Sequence, residues 1–121
     1  MNYFLIACNG ITVVSLSAML HVMASAYEKG TLGRNGMVGI RTKHTKKSDE
    51  AWDAGHRAAA VPLRRLAWAT LALEVLVVAF FAITKTTSVA VTELVVYAPF
   101  VLIVAGMFWV ASKANKAAKA V

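Results

Sequence analysis

The chain has 121 residues, of which 59% are hydrophobic and 16% charged, with a net charge of +7. So apolar a balance lies outside the range of soluble globular domains and makes a lipid bilayer the expected solvent. The basic excess raises nucleic-acid binding, but the Lys and Arg residues gather beside apolar stretches, where they set membrane orientation; no direct nucleic-acid contact is expected. Cys8 is the single cysteine, so no intrachain disulfide can form.

Residues 2–26 form the first predicted span, since about 20 mostly apolar residues cross the roughly 30 Å of hydrocarbon. Leu5-Ile6-Ala7-Cys8 imitates a lipidation site and Ala24-Ser25-Ala26 a signal-peptidase site. The first has too short an apolar stretch before it and the second no preceding basic residue, so the segment is expected to be retained as a span. At about 100° per residue, Gly10, Ser17, His21, Ala24 and Ser25 share a stripe of small and polar residues suited to close helix packing. Tyr3, Tyr27, Trp68, Tyr97 and Trp109 lie near span ends, as interfacial aromatics do.

The next segment, 27–62, carries most of the information. Gly30, Gly33, Gly36 and Gly39 recur every third residue and suit turns or close backbone approach, but match neither a dinucleotide fingerprint nor a phosphate loop. Ser48 reads as a helix N-cap, followed by Asp49 and Glu50 in a favourable first turn. The spacing predicts a short amphipathic helix with Asp49, Trp52, Asp53 and His56 on one face, Asp53 pairing with Arg57, Trp52 anchoring at the membrane interface, and Pro62 separating it from the second span. Asp49, Asp53, His56 and His44 lack the Cys or paired-His spacing of a metal site, and no nucleophile, base and orienting group stand together. Neither a metal, a cofactor nor catalytic residues are therefore expected.

The second span is predicted over 63–83, with Glu74 near its middle. An acidic side chain there is a functional candidate by default, and Thr70, one turn earlier, can offer it a hydroxyl. His21 lies nearer its own span end, about 9 Å away in depth, which disfavours a direct ion pair. A proton or substrate relay is the sharp reading of His21 and Glu74, and simple interhelical hydrogen bonding the plainer one. After a loop over 84–93, the third span covers 94–111, with Pro99 in its first turns and Ala98, Ala105, Trp109 and Ser112 on one stripe. Residues 112–121 read as a helical extension whose spaced lysines would meet anionic headgroups. The expected fold is all-α: one integral membrane domain, 1–121, of three bundled transmembrane helices with the amphipathic helix in the first loop. Of the thirteen basic residues only Lys85 falls between the second and third spans, so the positive-inside rule places the N-terminus outside and the C-terminus in the cytoplasm.

The run Asn35-x-x-x-Gly39-Ile40-Arg41-Thr42-x-x-Thr45-x-x-Ser48-Asp49-x-x-Trp52-x-x-x-His56-Arg57, set between apolar spans, resembles the SdpI family of bacterial membrane proteins. The chain would be a short, three-span member, with Lys43-His44 where many members carry proline and an aromatic residue. The resemblance implies a plasma-membrane protein of immunity or signal-receptor type, which meets a peptide toxin or envelope signal and engages a cytoplasmic partner such as a repressor. Asn35, Gly39, Arg41, Thr42, Thr45, Ser48, Trp52, His56 and Arg57 are the candidate contact residues. The alternative is an accessory subunit that binds a larger membrane complex, or further copies of itself, through its small-residue stripes.

Overall fold

The computed structural model describes residues 2–121, and among these the regular structure is entirely helical. Helix α1 spans Tyr3–Lys29, a single turn of 3-10 helix spans Thr45–Lys47, α2 spans Asp49–Thr84 and α3 spans Val89–Lys119. All three long helices are apolar and long enough to cross a membrane.

The caps are local chemistry. Asn2 Oδ1 accepts from Leu5 N at 3.0 Å to start α1, and Gly30, at φ 67°, ends it in the left-handed conformation that glycine adopts without strain. Ser48 Oγ accepts from Ala51 N at 3.0 Å to start α2. Ser88 caps α3, so the predicted loop over 84–93 shrinks to 85–88, and the third helix begins at Val89 rather than Leu94. Pro99 therefore lies ten residues inside α3 instead of in its first turns, and is buried.

The predicted separate amphipathic helix is absent. Its residues form the first turns of α2, which runs unbroken through Pro62 for 36 residues, about 54 Å at 1.5 Å per residue. Proline removes one donor and strains the preceding turn, but good helix formers flank it on both sides, and the carbonyl it leaves without a helical donor belongs to exposed Ala58. Because the hydrocarbon core is only about 30 Å thick, α2 extends well beyond it. Its N-terminal turns and the C-terminal turns of α3 project on the same side and form a frame for the loop.

α2 is the central element, with α1 and α3 each packed along it and scarcely touching one another. The expected bundle is thus an open three-helix layer. The inward face of α1 is Asn9, Val13, Ser17, Leu20, Ala24 and Tyr27. Ser17 and Ala24 of the predicted stripe lie there, whereas Gly10, His21 and Ser25 are only half-buried at its edges. On α3 the stripe prediction fails: Ala105, Trp109 and Ser112 face outward, and Val96, Pro99, Val110, Ala114 and Ala118 are buried. Small size permits close approach without requiring it, and the face is selected by what α2 presents.

At Gly106 close approach does occur, since an added Cβ would run into the Leu66 side chain. Gly106→Val is expected to destabilise the α2–α3 pair by about 1–3 kcal/mol through overpacking. Thermal unfolding in detergent reads this loss, and the additional change Leu66→Ala should recover part of it.

Two apolar clusters result. One lies on the loop side and joins Leu20, Ala24, Tyr27, Leu63, Leu66 and Val110, among others. The second, towards the other face, joins Val77, Phe81 and Val96. Between them runs a polar layer. Ser17 Oγ donates to the Ala67 carbonyl at 2.8 Å, and Asn9 Nδ2 lies 3.1 and 3.2 Å from the two oxygens of Glu74.

Candidate functional site

The loop over 30–48 folds against the projecting ends of α2 and α3. Asn35 organises its tip: Oδ1 accepts from the backbone of Met37 and Val38, while Nδ2 donates to the carbonyls of Gly33 and Val38. An Asn side chain is the right length for such local backbone mimicry. The chain then turns inward through Gly39, whose φ is 110°. A Cβ there would stand 2.7 Å from His56 Nε2 and 2.9 Å from Trp52 Cζ2. Gly30 and Gly39 answer the expectation of turns and close approach, whereas Gly33 and Gly36 face open space.

Trp52 and His56 lie one turn apart on α2, with ring centroids 4.2 Å apart. Trp52 is 2% exposed, and its Nε1 donates to the Leu32 carbonyl at 2.9 Å. It is therefore the core of the loop and not an interfacial anchor. Tyr27, also expected at the interface, is buried edge-on against His56 at 4.7 Å. Proximity to a span end points Tyr27 to the interface and the face of the predicted short helix points Trp52 there, but the loop folds back over both.

His56 Nε2 accepts from Ile40 N at 2.9 Å, and Nδ1 lies 2.7 Å from the Trp52 carbonyl. A backbone N–H can only donate and a carbonyl can only accept, so the neutral tautomer with the proton on Nδ1 is the form that satisfies both. Burial lowers the His56 pKa, against smaller opposing contributions from the Trp52 carbonyl and Asp53. An unfolded His titrates near pH 6.5, so acid protonates the unfolded chain in preference to the folded one. The stability that His56 contributes is complete above about pH 6.5 and is eroded as pH falls towards its depressed folded value. The melting temperature should accordingly drop between pH 7.5 and 5.5, and the drop should be smaller in His56→Gln.

Thr45 is a second hub. Its Oγ1 donates to the Ile40 carbonyl at 2.7 Å and accepts from Thr42 N at 2.8 Å, and the residue is fully buried. Thr42 Oγ1 donates to Asn115 Oδ1 at 2.7 Å, tying the loop to α3. Gly55 faces Ala114 and Ala118 closely, and Lys47 Nζ donates to the Val121 carbonyl. The helical tail, for which the sequence suggests headgroup contact by its lysines, thus docks through its alanines on the first turns of α2 and through Asn115 and the Val121 carbonyl on the loop.

The charged pairs close the rim. Arg57 donates to Asp53 at 2.8 Å, as the i,i+4 spacing predicts, and also to the Glu28 carbonyl. Arg34 pairs with Asp49 at 3.0 Å, and Arg64 with Glu28 at 2.8 Å. Asp49 and Asp53 are therefore engaged by arginines, and His56 by backbone. Of the nine candidate residues Asn35, Arg41 and Arg57 are exposed; Asn35 is spent on the loop's own backbone and Arg57 on Asp53 and Glu28, whereas Arg41 takes part in none of the ion pairs among the described residues.

The intramembrane candidates separate. Glu74 is 3% exposed and is held by Asn9, a residue that sequence reading passed over because a lone Asn carries no spacing signal. Thr70 donates to its own Leu66 carbonyl one turn back instead of to Glu74, a bond that α-helical geometry offers any inward Thr. His21 stacks edge-on against Trp68 at 4.7 Å, and its buried Nε2 has no hydrogen-bond partner among the described residues.

Three apolar helices, joined on one side by a tightly wired polar loop, define a multi-pass helical membrane protein. A model of the SdpI/YfhL protein family matches residues 31–112, and the chain belongs to that family. The match takes in the loop, α2 and most of α3, and leaves α1, with Asn9 and His21, outside it. Neither the curated proteins nor the solved structures yielded a match.

Proposed function

We propose that the protein is an SdpI-like receptor or immunity-type protein of the bacterial plasma membrane. The helices meet a peptide toxin or envelope signal, and the loop side contacts a cytoplasmic partner. The observation that carries this reading is the state of Arg41. Thr42, Thr45, Trp52 and His56 are consumed in holding the loop, whereas this guanidinium is exposed and belongs to none of the ion pairs among the described residues. A rigid loop that presents one unpaired Arg is suited to a carboxylate or phosphate.

Deleting the gene should sensitise cells to a peptide toxin or to envelope stress. Arg41→Ala should reproduce that loss at normal protein level, because the side chain supports nothing in the fold. Full protection by Arg41→Ala would sink the reading. For topology, a cysteine at Thr86 in a Cys8→Ser background should react with an impermeant maleimide from outside, and one at Lys116 only after lysis. The reverse pattern would place the loop on the other side.

The second reading, an accessory subunit, is favoured by the open helix layer and by one crevice. Between α1 and α2, Val14, Ser17, Ala18, His21, Trp68 and Leu71 line a groove that holds the unpartnered His21 Nε2. A partner helix seated in that groove would cover the half-buried His21 ring and its apolar neighbours. Purification in mild detergent should then retain a large stoichiometric partner that is lost in His21→Leu.

A further inference from the structure

Arg41 does not stand alone. Beside it a groove of about 480 Å³ runs from the loop onto α3, with Arg41 and Thr42 at its head and Val104, Met107, Phe108 and Ala111 along its length. The α3 residues belong to the apolar span, and Val104 and Phe108 are 58% and 76% exposed. From Val104 to Ala111 the helix rises about 10 Å, a large part of one leaflet's half of the roughly 30 Å hydrocarbon core. The groove is therefore apolar where it lies in the membrane and cationic where it emerges.

That sequence of chemistries complements one occupant. We propose that the groove binds an anionic glycerophospholipid from the leaflet on the loop side, with its phosphate on Arg41 and an acyl chain along Val104–Ala111. A guanidinium forks onto phosphate oxygens, and its planar donors lose less freedom in doing so than a lysine's would. Thr42 cannot turn away from the groove head, because its hydroxyl is tied to Asn115 and its N–H to Thr45. The same ties hold the adjoining Arg41 backbone over α3. The proposal rests on reading Arg41 as the loop's outward contact, and gives that contact a lipid ligand. In an SdpI-like receptor such a lipid would couple the position of the loop to the lipid environment.

Native mass spectrometry of the full chain in detergent, titrated with phosphatidylglycerol or phosphatidylcholine, tests this directly. Phosphatidylglycerol should bind the wild type more tightly than phosphatidylcholine. Arg41→Gln should weaken phosphatidylglycerol roughly tenfold, the loss expected for a charge-assisted hydrogen bond. Lys116→Gln, which removes an equal charge on the exposed tail, should change little. Val104→Trp, which fills the groove from an exposed position, should weaken both lipids, and inorganic phosphate should displace neither. Equal binding of the two lipids, an unchanged Arg41→Gln, an equal loss in Lys116→Gln, or displacement by phosphate would each overturn the site. The outcome separates from that of the proposed function. Lipid binding lost in Arg41→Gln while protection against toxin persists upholds the lipid site and removes the receptor role of Arg41; protection lost with lipid binding intact does the opposite.

Discussion

Gly39→Val should unfold the loop while leaving the membrane helices in place. At φ 110° a side-chain-bearing residue is strained, and its Cβ would press on His56 and on Trp52. Neither can retreat: His56 is held at both ring nitrogens, and Trp52 is buried with its indole N–H bonded to Leu32. Strain and overpacking together make the expected cost roughly 3–5 kcal/mol. Limited proteolysis reports it, with new cleavage between residues 30 and 48. Gly36→Val is the control, since nothing lies within 4 Å of a Cβ there, and it should retain wild-type resistance. Equal sensitivity of the two variants would show that the loop is not locked through Gly39.

Asn9→Leu should be the most damaging single change on α1. It leaves the Glu74 carboxyl, 3% exposed, facing an apolar side chain with no donor. An unsatisfied buried polar group costs about 1–3 kcal/mol. In membrane proteins much of that is measurable, although hydrogen bonds there average less than expected. Adding Glu74→Leu to Asn9→Leu should restore stability, because removing both partners leaves no unpaired group. Glu74→Gln should be neutral or stabilising, for a specific reason: Asn9 Oδ1 has no hydrogen-bond partner among the described residues, and a glutamine amide can both accept from Nδ2 and donate to that oxygen. Detergent melting of the wild type and these three variants checks the bridge. A double mutant as unstable as Asn9→Leu alone would show that the pair does not bridge the helices. If Glu74→Gln folds but loses protection, the carboxyl has a role beyond the bridge.

These experiments bear on different links of one chain of cause. Gly39, Trp52, His56 and Thr45 build the loop, and only a correctly built loop holds Arg41 over its groove. Asn9 and Glu74 attach α1, which carries the half-buried His21, to the central helix. Loss of function through the first group should follow loss of fold, whereas loss through Arg41 should not. Protein level measured beside protection separates the two.

The local features were legible in the sequence. Three spans follow from composition, the Ser48 cap from one hydroxyl and its neighbours, and the Asp53–Arg57 pair from a four-residue spacing. Each depends on atoms within a turn or two of chain. The family motif was legible for the same reason, because it is contiguous. What eluded the sequence depended on a partner far along the chain. Pro62 looked like a boundary, but packing of α2 on both neighbours carries the helix through it. Trp52 and Tyr27 looked interfacial until the loop folded over them, and the stripe Ala105, Trp109 and Ser112 had the right period on the wrong face. Asn9 gave no signal until Glu74, 65 residues later, was placed opposite it.

The sequence by itself thus determined the solvent, the number of crossings and the chemistry of the loop, since hydropathy and capping act locally. Tertiary structure alone decided which of those loop residues are spent on folding and that the Arg41 side chain is not among them. Hydrogen-bond donors and acceptors are satisfied only once distant segments meet, so a free guanidinium at Arg41 can be recognised only after its neighbours' partners have been accounted for.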